Sequence, residues 1–167
     1  MVLAELNFLT GTPDAEKQIE RLFRSSPGLT TSPLLKPETH RTSYAYLLKN
    51  RGEIARASEL LTESLKQAQA ALADGNESQR VPFEIAAIHA VNRESAEALE
   101  WLERAATAGY KDYSTLARHP IFEGLRREPR FQDALKKMQK AVDTMRERST
   151  VVSELRAMPF PAVPTPR

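Results

Sequence analysis

Two stretches of this 167-residue chain say nearly the same thing: NRGEIARASELLTESL at 50–65 and NRESAEALEWLERAA at 92–106. Superposing Ala57 on Ala98 takes a shift of 41 residues, and under it Glu53 meets Glu94, Ala55 meets Ala96, Glu59 meets Glu100 and Leu61 meets Leu102. Within the first copy, small or apolar residues recur at Ala57, Leu60, Leu61, Ser64, Leu65, Ala68, Ala71 and Leu72; the second gives Ala98, Trp101, Leu102, Ala105 and Ala106. Steps of three and four are the period of an amphipathic helix. Another apolar helical stretch precedes each copy, SYAYLL at 43–48 and FEIAAI at 83–88. The repeated unit is therefore a helix, a tight turn and a second helix. Such a pair cannot bury its apolar face alone and needs a stacked neighbour.

Prolines and glycines set the boundaries. Thr12-Pro13, Lys36-Pro37, His119-Pro120 and Glu128-Pro129 read as helix starts, because a proline at the first helical position gives up only an N–H that has no partner there. Gly75 and Gly109 read as helix stops. The spacing predicts helices over 2–9, 13–25, 37–50, 53–73, 80–91, 94–108, 119–126 and 129–150, with one further turn at 113–117. Residues 25–37 and 74–80 are connectors. MPFPAVPTPR at 158–167 holds four prolines and reads as an extended tail, leaving 1–157 as a single helical-repeat domain.

Where paired helices approach closely the chain places small residues, Ala45 and Ala57 in one unit, Ala86 and Ala98 in the next. Tyr44, Leu48 and Leu61, then Ile85 and Leu102, supply the large apolar positions, and Ser64 and Ala105 fill the later small one. In this pattern the chain resembles the tetratricopeptide repeat family, whose unit is about 34 residues of helix–turn–helix. The 41-residue shift exceeds that period by about seven, an excess assigned to a longer second helix and the loop at 74–76. Arg41 and Pro82 depart from the family, standing where it often has tryptophan. A third, degenerate copy puts Ile121, Phe122 and Leu125 on one helix and Ala134, Met138 and Ala141 on the next. HPIFEGLRREPRFQDALKKM resembles the ending of a bacterial array of such repeats. Residues 1–25, with Gly11 at the turn, would be a shortened leading pair. The resemblance implies an all-α fold, a right-handed superhelix of stacked antiparallel helix pairs with about three repeats after that leading pair.

The chemistry of catalysis is hard to find. Cysteine is absent, which excludes disulfides, thiolate ligands and cysteine nucleophiles. His40, His89 and His119 have no metal-ligand spacing, and no glycine-rich phosphate loop or nucleophile elbow occurs. Glu100 and Glu103 are neighbours on a helix face rather than a pair held in a pocket. The expectation is a non-catalytic protein with no metal and no cofactor. Net charge is only +2 from 24 basic and 22 acidic residues. The cations Lys136, Lys137, Lys140, Arg146 and Arg148 alternate with Asp133, Asp143 and Glu147, without aromatic side chains for base stacking, so nucleic acid is not an expected partner. Nor is a membrane, since no window approaches the roughly 20 apolar residues of a span. The start of the chain is no signal peptide, and a cytoplasmic location is expected.

The resemblance also implies where a partner would sit. Carried over residue by residue, the concave groove would present Thr42, Tyr46, Lys49 and Asn50 from one repeat and Arg80, Phe83, Ala87 and Val91 from the next. Tyr46 and Phe83 would be apolar anchors, and Lys49 and Arg80 would meet acidic groups. Glu84 stands where family members that clamp a chaperone's terminal carboxylate need a donor, which argues against that clamp. His89 and Trp101 are read as packed residues of their helices. The expected function is a protein–protein interaction module binding a peptide or helix, with self-association through a repeat end left open. The alternative is a regulatory C-terminal fragment of a larger bacterial signalling protein, a kinase or a transcription regulator, favoured by the incomplete first repeat and the terminal-looking ending.

Overall fold

The computed structural model describes residues 37–157 and, before them, only Asp14, Lys17, Gln18 and Arg21. The helix expected over 2–9, most of that over 13–25, the connector before residue 37 and the tail at 158–167 lie outside the described residues. Within them every regular element is helical: α1 (Pro37–Asn50), α2 (Ile54–Ala73), α3 (Arg80–Asn92), α4 (Ser95–Thr107), α5 (Tyr113–Arg118), a 3-10 helix (Pro120–Leu125) and α6 (Pro129–Ala157).

The repeat in the sequence is a repeat in the backbone. At the end of α1, Gly52 N–H donates to the Lys49 carbonyl at 3.0 Å and Glu53 N–H to the Leu48 carbonyl at 2.9 Å. Forty-one residues on, Arg93 N–H donates to Ala90 and Glu94 N–H to His89, both at 3.0 Å. This pair of bonds is the Schellman motif, which needs a left-handed residue just past the helix. Gly52 takes that conformation at φ 84° and Arg93 at φ 64°. Gly75 and Gly109 close α2 and α4 with the same bonds, at φ 77° and 94°. The turns at the ends of α1 and α3 are 41 residues apart, whereas those at the ends of α2 and α4 are 34 apart. The difference lies in the second helices: α2 has 20 residues and α4 has 13. The seven extra residues are two helical turns.

Each hairpin is antiparallel. Arg41, early in α1, reaches Gln67, late in α2, through a 3.1 Å bond from Nη1 to Oε1. The ring of Phe83, early in α3, stacks on Tyr110, just past α4, with centroids 4.3 Å apart and planes 5° from parallel. Ala57, Leu61 and Ser64 on α2 are buried, as are their counterparts Ala98, Leu102 and Ala105 on α4. Ala57 and Ala98 are both 0% exposed. A larger side chain at either position has no room, because packed interiors hold few voids.

The two hairpins stack with α1 and α3 side by side and parallel. Thr42 bonds to Glu84 near one end, and Lys49 reaches Val91 and Asn92 near the other. Helix α3 touches α1, α2, α4 and the 3-10 helix, and all eight residues from 81 to 88 are buried as a result. A helix apolar all round is one enclosed on all sides. The two extra turns of α2 overhang this stack and build a satellite cluster in which Leu65, Ala68, Ala71 and Leu72 meet Val81, Ile85 and Trp101. Trp101, expected in the core, is only partly buried, and the Arg104 guanidinium lies over its ring at 4.4 Å.

The third unit departs from the expected form. Residues 120–125 make a 3-10 helix, not the α-helix expected over 119–126. Pro120 and Pro129 bracket too short a segment for α-helical bonding to propagate, and i→i+3 bonds such as Phe122 N–H to His119 O at 3.1 Å take its place. Ile121, Phe122 and Leu125 are buried as a pair-forming helix requires, and Phe122 packs on Phe83 and Phe131. Helix α6 outruns the expected end at 150 by seven residues. Ala134 and Met138 are buried on it, but Ala141, expected on the same stripe, is exposed.

Candidate functional site

Because the hairpins stack in parallel, their tight turns fall along one edge. There the ends of α1 and α3, the starts of α2 and α4 and the 3-10 helix enclose a cleft of about 750 Å³. Its floor is apolar, formed by Ala90 and Val91 from α3 and by Ile121 and Leu125 from the 3-10 helix. Tyr46 and Ile54 form the apolar part of the wall, and Ile54 is 52% exposed. Lys49, Asn50, Asn92, Arg93 and Ser95 supply polar groups on one side, and Glu123 faces in from the 3-10 helix.

Lys49 is the most constrained of these. Its ammonium donates to the Val91 carbonyl at 3.1 Å and to Asn92 Oδ1 at 2.8 Å. The first bond satisfies a carbonyl left over at the end of α3. It also ties the last turns of α1 and α3 together. Partial burial holds the lysine pKa below its ordinary value, an effect that Glu94 opposes and Arg93 adds to. Arg93 is placed by its own backbone, since the left-handed residue of the turn projects from the edge rather than along a helix face.

The eight residues expected in a groove divide sharply. Tyr46, Lys49, Asn50 and Val91 come together in the cleft. Thr42, Phe83 and Ala87 do not: they are 0%, 7% and 2% exposed. Thr42 donates its hydroxyl to the Glu84 carboxylate, itself buried, across the α1–α3 contact. Phe83 sits between Tyr110 and Phe122 as the centre of an aromatic ladder. Placing these on an open face was wrong because α3 is enclosed from residue 81 to 88 and Thr42 on α1 packs against it. Arg80 is exposed at the opposite end of α3. Sequence reasoning missed Ile54, Arg93, Ile121, Leu125 and Glu123. The repeated turn was the available signal, since it aligns Gly52 with Arg93 and so marks the edge where these residues gather.

The other polar residues have structural work. His89 Nδ1 lies 2.5 Å from Glu94 Oε2 across the second turn. His119 is 2% exposed, and its Nδ1 accepts from Ile121 N–H at 3.4 Å, capping the 3-10 helix. Burial, with help from Arg126 and against Asp112, pushes its pKa down to about 4. Asp112 caps α5 by accepting from Thr115 N–H at 3.2 Å. Among the described residues no group of three His, Cys, Asp or Glu side chains is placed to hold a metal ion, and no helix is long and apolar enough to cross a membrane. No protein-family model matches this chain, and neither a curated protein nor a solved structure resembles it at a significant level.

Proposed function

We propose that this chain is a non-catalytic protein–protein interaction module, a tetratricopeptide-like right-handed superhelix of stacked helix pairs that takes a peptide segment of its partner at the turn edge. The observation that carries this reading is the cleft itself: an apolar floor of Val91, Ile121 and Leu125 under a polar rim, with Ile54 exposed at its mouth. A largely apolar concavity with a few convergent polar groups is the usual form of a recognition site. The backbone supports the repeat reading. Two hairpins close with the same turn 41 residues apart, and their first helices run parallel.

A selection from a displayed library of random dodecapeptides tests the function. Ile54→Asp serves as the control, because a side chain half exposed at a helix start tolerates the change without unfolding the domain. Peptides enriched on the wild type and lost on Ile54→Asp support binding at the cleft. Peptides that bind both proteins equally place the contact elsewhere and defeat this assignment. Phe83 is unsuitable as a probe, since truncating it removes the middle of the core.

A further inference from the structure

We propose that the segment bound in the cleft pairs an acidic side chain with a neighbouring large apolar one, the carboxylate lodging between Lys49 and Arg93 and the apolar group resting on Val91, Ile121 and Leu125. This rests on the interaction reading above and adds the chemistry of the partner.

Charge complementarity is the ground for it. Lys49 and Arg93 both line the cleft, and among the described residues neither forms an ion pair. Lys49 spends two of its three N–H donors on Val91 and Asn92, leaving one. Among the described residues the Arg93 guanidinium has no hydrogen-bond partner, so its fork of donors is open to a carboxylate. Glu94, next in the chain, lies 2.5 Å from His89 Nδ1 and acts on Lys49 through space, without forming an ion pair with Lys49 or Arg93. Two unpaired cations therefore stand side by side against an apolar floor that a free anion would leave unfilled. The cations of α6 are different. Lys136 pairs with Asp133, Arg130 with Glu103 and Arg146 with Asp143, and the apolar cleft does not adjoin them. Glu123, which lines the same cleft from the 3-10 helix, sets a limit: a second acidic residue directed toward it meets a like charge, so the favoured segment carries one acid rather than a run.

The probe is an array of end-capped nonapeptides with Asp, Asn or Lys beside a central Leu, Ile or Phe, read with the wild type, Arg93→Gly and Arg93→Asp. Both variants suit a left-handed residue, so the fold is kept. The wild type is expected to favour Asp over Lys peptides by about tenfold, the worth of one charge-assisted bond. Arg93→Gly should lose most of that preference and Arg93→Asp should reverse it. Apolar peptides bound with no preference between Asp and Lys would overturn the charge pairing while leaving the interaction reading in place. No binding in any arm would overturn both.

Discussion

The first and second hairpins share a buried skeleton and differ in two places. Ala57, Leu61 and Ser64 match Ala98, Leu102 and Ala105 in position and burial, yet α2 runs two turns beyond its counterpart, and glycine in one turn is replaced by arginine in the other. The first difference shows that length can be added to a stacked repeat where nothing packs on the next turn, so long as the addition finds its own cover. Here that cover is the satellite cluster of Ala68, Val81 and Ile85 with Leu72 and Trp101 around it. The second shows that a turn geometry can be kept while its best residue is given up, and the residue gained, Arg93, lines the cleft.

The equivalence is broken most severely by charging its small positions. Ala98→Glu and Ala57→Glu should each cost about 3–5 kcal/mol, because each leaves a carboxylate in a packed crossing with no partner. Ala141→Glu, on the exposed face of α6, should cost less than about 0.5 kcal/mol. Urea unfolding of the three variants separates true repeat positions from the third unit's imperfect one.

A second test sets the third unit against the two hairpins. His119 is buried as a neutral cap with a pKa near 4, against 6.5 for an unperturbed histidine. Above pH 6.5 it is neutral both folded and unfolded, and costs nothing. As pH falls below 6.5 the unfolded chain takes up the proton first, so stability drops, and the loss levels off below about pH 4. Over that window the loss is about 3 kcal/mol. Thermal melts from pH 7 to 4 should show this component in the wild type and not in His119→Asn, which keeps an acceptor near Ile121 N–H without titrating.

The satellite cluster is weaker than the core it adjoins. Leu61→Ala, in the shared skeleton and 2% exposed, should cost about 2–3 kcal/mol, and Leu72→Ala, partly buried in the overhang, about 1 kcal/mol. Equal costs would mean that the two extra turns of α2 belong to the main core after all. The smallest effect belongs to the turns. Arg93→Gly should stabilise by about 0.5–1 kcal/mol and Gly52→Ala should destabilise by about 1 kcal/mol, both through the left-handed backbone. Differential scanning calorimetry resolves shifts of that size.

Much of this fold was legible from spacing alone. The helix pairs from 37 to 107 and the close-packed alanines follow from period, proline and glycine, whereas the excess of about seven residues was measured against the repeat length of the family the chain resembles. What was hidden depended on neighbours. Nothing local to VPFEIAAI at 81–88 says that all its sides are covered, and the family resemblance alone put Phe83 and Ala87 on a groove face. Nor does the sequence show that Glu84 is buried, because its partner Thr42 lies 42 residues away. Half of the expected groove residues, Tyr46, Lys49, Asn50 and Val91, do line the cleft. The rest of the cleft required knowing that the 3-10 helix folds back beside α3, bringing Ile121 and Leu125 to the turn edge.

A titration of the ¹⁵N-labelled protein with one selected peptide, followed by amide shifts, reaches furthest into this account. Binding at the turn edge predicts that the largest changes fall on Lys49, Ile54, Val91, Arg93, Ile121 and Leu125, with α6 and the outer face of α2 unmoved. Changes centred on α6, or on Trp101 and Arg104, with the turn edge silent, would contradict it.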